Sequence, residues 1–556
     1  MIKNQELTKQ ILEMMNTALE ASEEMMKYLH EEKLLEFEEI SEGLCLMIQS
    51  INNIADGLQQ EEPTLNLPAA SKSVLVSALR VQKIAKENIA RACHKLEFEL
   101  IPLIEEMRVS FFYWGTAYPD PEKIKKYNEE DIYRLTGNKY IEEAEKTGTY
   151  KYDLSISVLG YNKMEYTVQC LESLYSHLPK DISYEIILIN HGSTDGTKAL
   201  YEGYKPDKQL DIAVNGGGLS ACNRIAEGKY RLGISNDVIV TQNAIDNLYK
   251  CIISDEKIAW AVPATANVSN FQSLPAEYTD NEGLKRFVEK NNISNPTRWE
   301  QRNRLCDPIA MMNAAKFNRL RMYWRYSSSN EQSLPDDRTS LLLRRNGYKM
   351  FLVKDAYCHH FGSVTLNEEQ QTYSKMALQK GKEIFEQTFG VTPWSTGFCY
   401  SKQLFSELKC EKQGDVHVLG INCGFGANSL KIKESLKENV SNFNVRLKNI
   451  TTNPAYLEDL KGVSDEAEYI DELFAVKETA GKYDYIVAED VCYTEETIWD
   501  TIDLFAGWSK EDGRIAILLE KKLIPNIQNE NEKQSNFRNI KGVLEGNGKY
   551  WLVFSK

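Results

Sequence analysis

Six short stretches in the middle of the chain carry side chains able to do chemistry. Tyr161-Asn162 follows an apolar run that ends at Gly160. Asn190-His191-Gly192-Ser193-Thr194-Asp195-Gly196-Thr197 follows a second. Asn215-Gly216-Gly217-Gly218 comes next, with Asn223 close behind. Ser235-Asn236-Asp237 closes a third apolar run. Asp336-Asp337 precedes a helix-like stretch, and His359-His360-Phe361-Gly362-Ser363 ends a further run. Amides at strand ends can read the edge of a flat ligand, and glycines let the backbone approach it closely. A strand-end carboxylate such as Asp237 suits an oxygen-preferring divalent cation. A carboxylate can also accept a proton from an attacking hydroxyl. Asp195 has a plainer reading as a helix cap within Ser193-Thr194-Asp195-Gly196.

The elements that must position these groups are legible around them. Leu154–Leu159 and Glu185–Ile189 read as strands, and Thr167–Tyr175 between them reads as a helix. Strand, helix, strand in succession implies a parallel α/β sheet, whose ligands sit at the carboxyl ends of the strands. The polar stretches stand at those ends.

In this order and spacing, the motifs resemble those of the family 2 glycosyltransferases, which have the nucleotide-sugar-binding GT-A fold. The resemblance covers residues 153–400. It implies that Tyr161, Asn162, Asn190, His191, Asn215, Gly217, Asn223 and Asn236 line a nucleotide-sugar site, with a uridine diphosphate sugar as the expected donor. It implies Asp237 and His360 as ligands of Mn²⁺ or Mg²⁺; alignment on Gly362-Ser363 selects His360 over His359. It also implies a general base within Asp336-Asp337, in an inverting transfer to a hydroxyl of a protein or surface-glycan acceptor. Asp336 and Asp337 compete for that role, because the spacing to Gly347 is ambiguous by one residue. Two positions depart from the family pattern: Asn190 and Ser235 stand where acids are usual, so the site carries less negative charge. Between the motifs, Arg298, Trp299, Arg302, Arg304, Trp324, Arg325 and Tyr326 offer platforms for an acceptor, with a structural role equally open to each.

Beyond residue 411 a second α/β unit opens with the strand Asp415–Gly420 and the turn Ile421-Asn422-Cys423-Gly424-Phe425-Gly426. It resembles the first motif of the class I methyltransferases, a Rossmann-like fold that binds S-adenosylmethionine. The usual acid is Gly420, a usual glycine is Asn422, and Thr451-Thr452-Asn453 replaces the ribose-binding acid. A non-catalytic interaction domain is therefore expected ahead of an S-adenosylmethionine site. A methyltransferase with a glycan-recognition domain and a non-catalytic scaffold are the alternative functions.

Residues 1–113 carry apolar residues at helical spacing, as in Leu7, Ile11, Met14, Ala18, Met25 and Leu29. They predict an antiparallel helical bundle that mediates oligomer or acceptor contacts, joined by a connector over 114–152. The whole reads as a multidomain α/β protein: helical bundle, GT-A domain at 153–400 and Rossmann-like domain at 411–556.

Composition sets the outer limits. The 556 residues are 42% hydrophobic and 26% charged, an ordinary globular mix. Net charge is −15, which argues against a partner nucleic acid or an anionic membrane. No apolar run is long enough to span a bilayer, and the N-terminus lacks a signal-peptide core, so a cytoplasmic protein is expected. The 11 cysteines are scattered without a Cys-x-x-Cys pair and read as buried thiols.

Overall fold

The computed structural model describes residues 2–61, 67–112, 115–116, 120, 138–212, 225–320, 334–362, 375–476, 478, 480–491, 497–520, 523, 538–546 and 548–555. The N-terminal stripes form the helices Gln5–His30, Leu34–Glu61 and Leu67–Ala85. Pro68 sits in the first turn of the third helix, where no backbone N–H is missed. Ile89–Lys95 continues through a π-helical turn, Leu96–Leu100, into Ile101–Phe112. Met15 and Met25 are buried in the bundle core, and the acidic Glu31 and Glu32 are solvated.

The bundle shares its core with the middle domain. β2 (Tyr184–His191) alternates: Ile186 and Leu188 face the sheet's own helices, while Ile187 and Ile189 join the bundle's apolar cluster. A strand's side chains point to opposite faces in turn, so one strand serves two cores. Arg80 Nη1 and Lys95 Nζ each donate to the carbonyl of Asp211 at 3.1 Å, which fastens the bundle to the edge strand β3 (Lys208–Ile212).

Among the described residues the middle sheet has nine strands. Besides β2 and β3 they are β1 (Tyr152–Gly160), β4 (Gly228–Ser235), β5 (Val238–Ile239), β6 (Ile258–Thr265), β7 (Trp299–Arg302), β8 (Ile309–Asn313) and β9 (Lys349–His360). Their order is β3-β2-β1-β4-β8-β6-β9-β5, with β7 pairing β9. β1 to β4 are parallel, whereas β8 runs antiparallel to β4, and β5 antiparallel to β9. The parallel half places the ends of β1, β2 and β4 side by side.

The C-terminal sheet has seven strands: β10 (Val416–Ile421), β11 (Val445–Thr451), β12 (Glu466–Tyr469), β13 (Tyr483–Ala488), β14 (Ser509–Glu520), β15 (Arg538–Gly546) and β16 (Lys549–Ser555). Their order is β12-β11-β10-β13-β14-β16-β15. The first five are parallel and doubly wound; β16 inserts antiparallel between β14 and β15. Among the described residues no helix is long and apolar enough to cross a membrane. The nine described cysteines are unpaired, and Cys170, Cys251, Cys306, Cys358, Cys410 and Cys423 are buried.

Candidate active site

The ends of β1, β2 and β4 are tied to one another by side-chain amides. Asn162, at φ +54°, accepts from Thr194 N at 2.8 Å, and its own N–H donates to Ser193 Oγ at 2.8 Å. Asn236 Nδ2 donates to the Asn162 carbonyl at 3.1 Å and to Thr167 Oγ1 at 2.8 Å. Asn190 Oδ1 accepts from Ser193 N at 3.0 Å, and its Nδ2 donates to Asp211 Oδ1 at 3.3 Å. Tyr161 is half-buried beside them, and His191 is buried at the end of β2. Asn162, Asn190 and Asn236 thus hold the strand ends in register as well as lining them. Asn215, Gly217 and Asn223 lie outside the described residues, as do Trp324, Arg325 and Tyr326.

Asp195 is a helix cap, as its plainer reading had it. Its Oδ1 accepts from Thr197 N at 3.0 Å and from Thr197 Oγ1, and its Oδ2 from Met164 N at 2.9 Å. One carboxylate accepts the first backbone N–H of two helices, Met164–Ser176 and Thr197–Tyr204, whose N-cap residues are Lys163 and Gly196. Burial works to raise the Asp195 pKa, but these hydrogen bonds outweigh it and hold the carboxyl below its ordinary value.

Asp237 and His360 meet because β5 pairs with β9, Val238 opposite His360. Asp237 Oδ2 lies 3.3 Å from His360 Nε2, and the Asp237 carbonyl accepts from Phe361 N at 3.0 Å. His360 Nδ1 is buried with no hydrogen-bond partner among the described residues. His359 points elsewhere, its Nδ1 2.6 Å from the Tyr278 hydroxyl. Burial, with His360 beside it, lowers the His359 pKa. Imidazole and carboxylate converging on one point form a donor pair that Mn²⁺ accepts more readily than Mg²⁺, which prefers oxygen. Among the described residues no group of three or more His, Cys, Asp or Glu could hold a metal ion.

The two aspartates of the pair differ sharply. Both stand in the first turn of the helix Pro335–Arg345. Asp337 is buried and fully engaged: Arg304 Nε donates to its Oδ1 at 2.6 Å, Arg304 Nη2 to its Oδ2 at 3.1 Å, and Trp394 Nε1 to its Oδ1 at 3.1 Å. Burial works against the Arg304 charge, yet the hydrogen bond it donates to Asp337 raises the Arg304 pKa above the ordinary value. Asp336 is half-buried and makes no hydrogen bond or ion pair among the described residues; its charge is felt by Arg304 and by the Cys306 thiol.

Ser235 and the 304–308 segment bring the two aspartate groups to one end of the sheet. Ser235 N donates to the Pro308 carbonyl at 2.9 Å, and Arg304 holds Asp337. Residues 267–270 bridge the same ground: Asn267 Nδ2 donates to the His360 carbonyl at 2.9 Å, and Asn270 Nδ2 to the Arg304 carbonyl at 2.6 Å. Other candidate acceptor residues are structural. Arg298 binds Asn291, Trp299 Nε1 donates to Asp355, and Arg302 lies 2.8 Å from the buried Glu300.

Residues 155–320 match the family model described as Glycosyl transferase family 2. That match covers less than a third of the chain and assigns a family 2 glycosyltransferase domain to those residues alone. Solved structures similar to the chain include GalNAc-T7 with UDP, GalNAc and Mn²⁺ (12% identity, 38% of this chain and 44% of that one, TM-score 0.30). They also include the mannosyltransferase PcManGT from Pyrobaculum calidifontis in complex with GDP-Man and Mn²⁺ (14% identity, 51% and 74%, TM-score 0.28). A SAM-dependent methyltransferase from Aquifex aeolicus is similar at 11% identity over 28% of this chain and 87% of that one, TM-score 0.22. The chain spans 44% of the length of the GalNAc-T7 structure. No curated protein matches it.

Trp394 and Asp211 are site residues that sequence reasoning did not single out. Trp394 sits in a Pro- and Gly-containing stretch with no periodicity to mark it. Asp211 is a carboxylate at a strand end, the one cue that was available.

Proposed function

We propose that the glycosyltransferase domain moves a sugar from a nucleotide donor, uridine diphosphate-linked, to a hydroxyl on a protein or surface-glycan acceptor, with inversion and in the cytoplasm. The observation that carries this reading is the meeting of Asp237 with His360 at the same sheet end as Tyr161, Asn162 and Asn190. The strand-end amides would take the nucleotide, as would Asn215, Gly217 and Asn223 from the sequence motif. Asp237 and His360 would hold Mn²⁺ or Mg²⁺, which when bound neutralises the charge of a departing diphosphate. Asp336, whose carboxylate has no hydrogen-bond or ion-pair partner among the described residues, takes the acceptor proton; Asp337 is spent on Arg304 and Trp394. A flagellar or cell-surface acceptor fits the added helical and Rossmann-like domains by analogy only.

The C-terminal strand order supports a methyltransferase-like fold, with S-adenosylmethionine binding the lesser reading. The decisive experiment is a panel of nucleotide sugars scored by thermal shift with and without Mn²⁺. A ligand at 100 times its Kd should add about 2.7 kcal/mol. No shift with any nucleotide sugar would overturn the proposal.

A further inference from the structure

The glycine turn after β10 occupies the place where an open α/β sheet receives its ligand, between a strand end and a helix start. In this chain that place is taken by the protein itself. Phe425 N donates to the Thr396 carbonyl at 3.0 Å, and Ala427 N, opening the helix Ala427–Val440, donates to the Gly397 carbonyl at 3.2 Å. These are the backbone donors a bound cofactor would otherwise use. The approach is close on both sides. A Cβ on Gly424 (φ +53°) would lie 1.9 Å from the Thr396 carbonyl oxygen, and one on Gly397 (φ +72°) 2.0 Å from that of Cys423. Thr396 Oγ1 also donates to Asp490, Ser395 Oγ lies 2.7 Å from the Tyr456 hydroxyl, and Ser401 N donates to Asn428 Oδ1 at 2.8 Å.

The gripped segment, which leads into the C-terminal domain, carries Trp394, whose indole N–H donates to Asp337 Oδ1 at 3.1 Å. From the other side Arg304 closes on both oxygens of Asp337. The far end of the same helix is fixed too: Arg344 and Arg345 both bind the fully buried Asp459 of the C-terminal domain. The first turn of the Pro335–Arg345 helix is thereby held between two donors, with Asp336 presented next to the held residue.

We propose that the C-terminal domain has turned its cofactor crevice into an internal brace, and that Trp394 and Asp337 are positioning residues that aim the Asp336 carboxylate. This rests on the reading of Asp336 as the base. The physical reason is that proton transfer needs the carboxylate within hydrogen-bond reach of the acceptor hydroxyl, and a displacement near 1 Å can cost on the order of 100-fold in rate. A helix start followed by a free carboxylate would swing; one clamped through its neighbour does not.

The test uses the full-length protein and a double-mutant cycle. Trp394→Phe keeps the ring and removes the donor. It should lower kcat by at least threefold and leave donor Kd unchanged. In an Asp336→Asn background the same change should have no further effect on kcat, because Trp394 acts through Asp336. An equal loss in both backgrounds would reduce Trp394 to a general structural part and overturn the proposal. Hydrogen exchange supplies a readout that needs no turnover: residues 335–345 should exchange faster in both Trp394→Phe and Gly424→Ala. Unchanged exchange in both variants overturns the brace, even if the enzyme proves active. If no nucleotide sugar turns over, the glycosyltransferase reading fails and the exchange result alone decides the brace. Titration of wild type with S-adenosylmethionine should show no binding, and saturable binding would show that the crevice is open.

Discussion

Asp237 Oδ2 and His360 Nε2 lie 3.3 Å apart although 123 positions separate them in the chain, because β5 adds antiparallel to the end of β9. Register here is chemistry. Pairing Val238 with His360 puts His360, and not His359, against the carboxylate, while His359 turns to Tyr278. Alternate side chains of a strand point to opposite faces, so a slip of one residue would exchange the two histidines. Asp237→Ala and His360→Ala should each weaken Mn²⁺-dependent donor binding at least as much as the ~10–100-fold that loss of an outer-shell partner costs. His359→Ala should change it far less. Calorimetric titration of the donor with and without Mn²⁺ checks this, and a His359 effect larger than that of His360 would reverse the assignment.

The contrast between neighbours Asp336 and Asp337 yields opposite phenotypes. Asp336→Asn should lower kcat by about 10²–10⁴-fold with donor Kd and stability little changed. Asp337→Asn should act mainly on stability, because it leaves the Arg304 guanidinium poorly compensated in a buried site, and should lower kcat only to the smaller extent that it loosens the aim of Asp336. Removing one partner of a buried pair costs about 3–5 kcal/mol. Urea unfolding beside steady-state kinetics on both variants separates the two effects. Wild-type kcat in Asp336→Asn would move the base elsewhere.

Much of this site was legible because strand ends are written locally. Tyr161-Asn162, Asn190–Thr197 and Ser235-Asn236-Asp237 each follow an apolar run, and the run predicts where its polar end will lie. The choice between Asp336 and Asp337 was not legible: it turns on Arg304 and Trp394, which approach from 33 and 57 positions away. Nor did periodicity reveal that the bundle would share a core with the middle sheet. Ile187 and Ile189 look like any buried strand residues, and which of the two cores they join is a tertiary fact. The stretch 422–426 reads in the sequence as a glycine turn resembling a cofactor loop. That the approaching group is the chain's own backbone at Thr396 and Gly397 left no mark in the sequence.

Glu489 makes stability depend on pH. It follows the end of β13 and is buried, and burial, with Asp490 and Glu545 adding to it, raises its pKa to about 7 against partial relief from Asn428 and Cys423. The unfolded chain loses this proton near the ordinary glutamate value of 4.5, while the folded chain keeps it to about 7. The folded state therefore binds more protons between those values, and stability falls as pH rises through that window, then levels off. At about 1.4 kcal/mol per pKa unit the loss is on the order of 3 kcal/mol. Glu489→Gln should flatten the profile and be more stable than wild type at pH 8, as measured by urea midpoints at pH 5 and pH 8. An unchanged slope in the variant would assign the pH dependence to other groups.

The joint between the glycosyltransferase and C-terminal domains rests on buried charge, and its loss should be visible as broken cooperativity. Asp459 is fully buried and takes Arg344 Nε on Oδ1 at 3.0 Å and Arg345 Nη2 on Oδ2 at 2.8 Å. A second cluster stands nearby in kind: Glu300 lies within 3.0 Å of Arg302, Lys354 and Lys431, the last from the C-terminal domain. Burial alone would raise the Glu300 pKa, but the three cations overcome it and hold the carboxylate well below its usual range. A carboxylate that balances two arginines cannot be removed cheaply, because the buried Arg344 and the partly buried Arg345 both lose their counter-charge. Asp459→Asn should therefore cost about 3–5 kcal/mol. Lys461→Ala removes the neighbouring pair with Glu458, in which both side chains are more than half exposed, and should cost less than about 1 kcal/mol. The sharper expectation concerns the shape of the transition. In wild type the two domains should unfold together, since the ion clusters and the gripped segment join them. In Asp459→Asn the calorimetric trace should split into two transitions, and residues 335–345 should lose exchange protection before the core of β1 and β4 does. A single, merely shifted transition would mean that Asp459 stabilises both domains without coupling them.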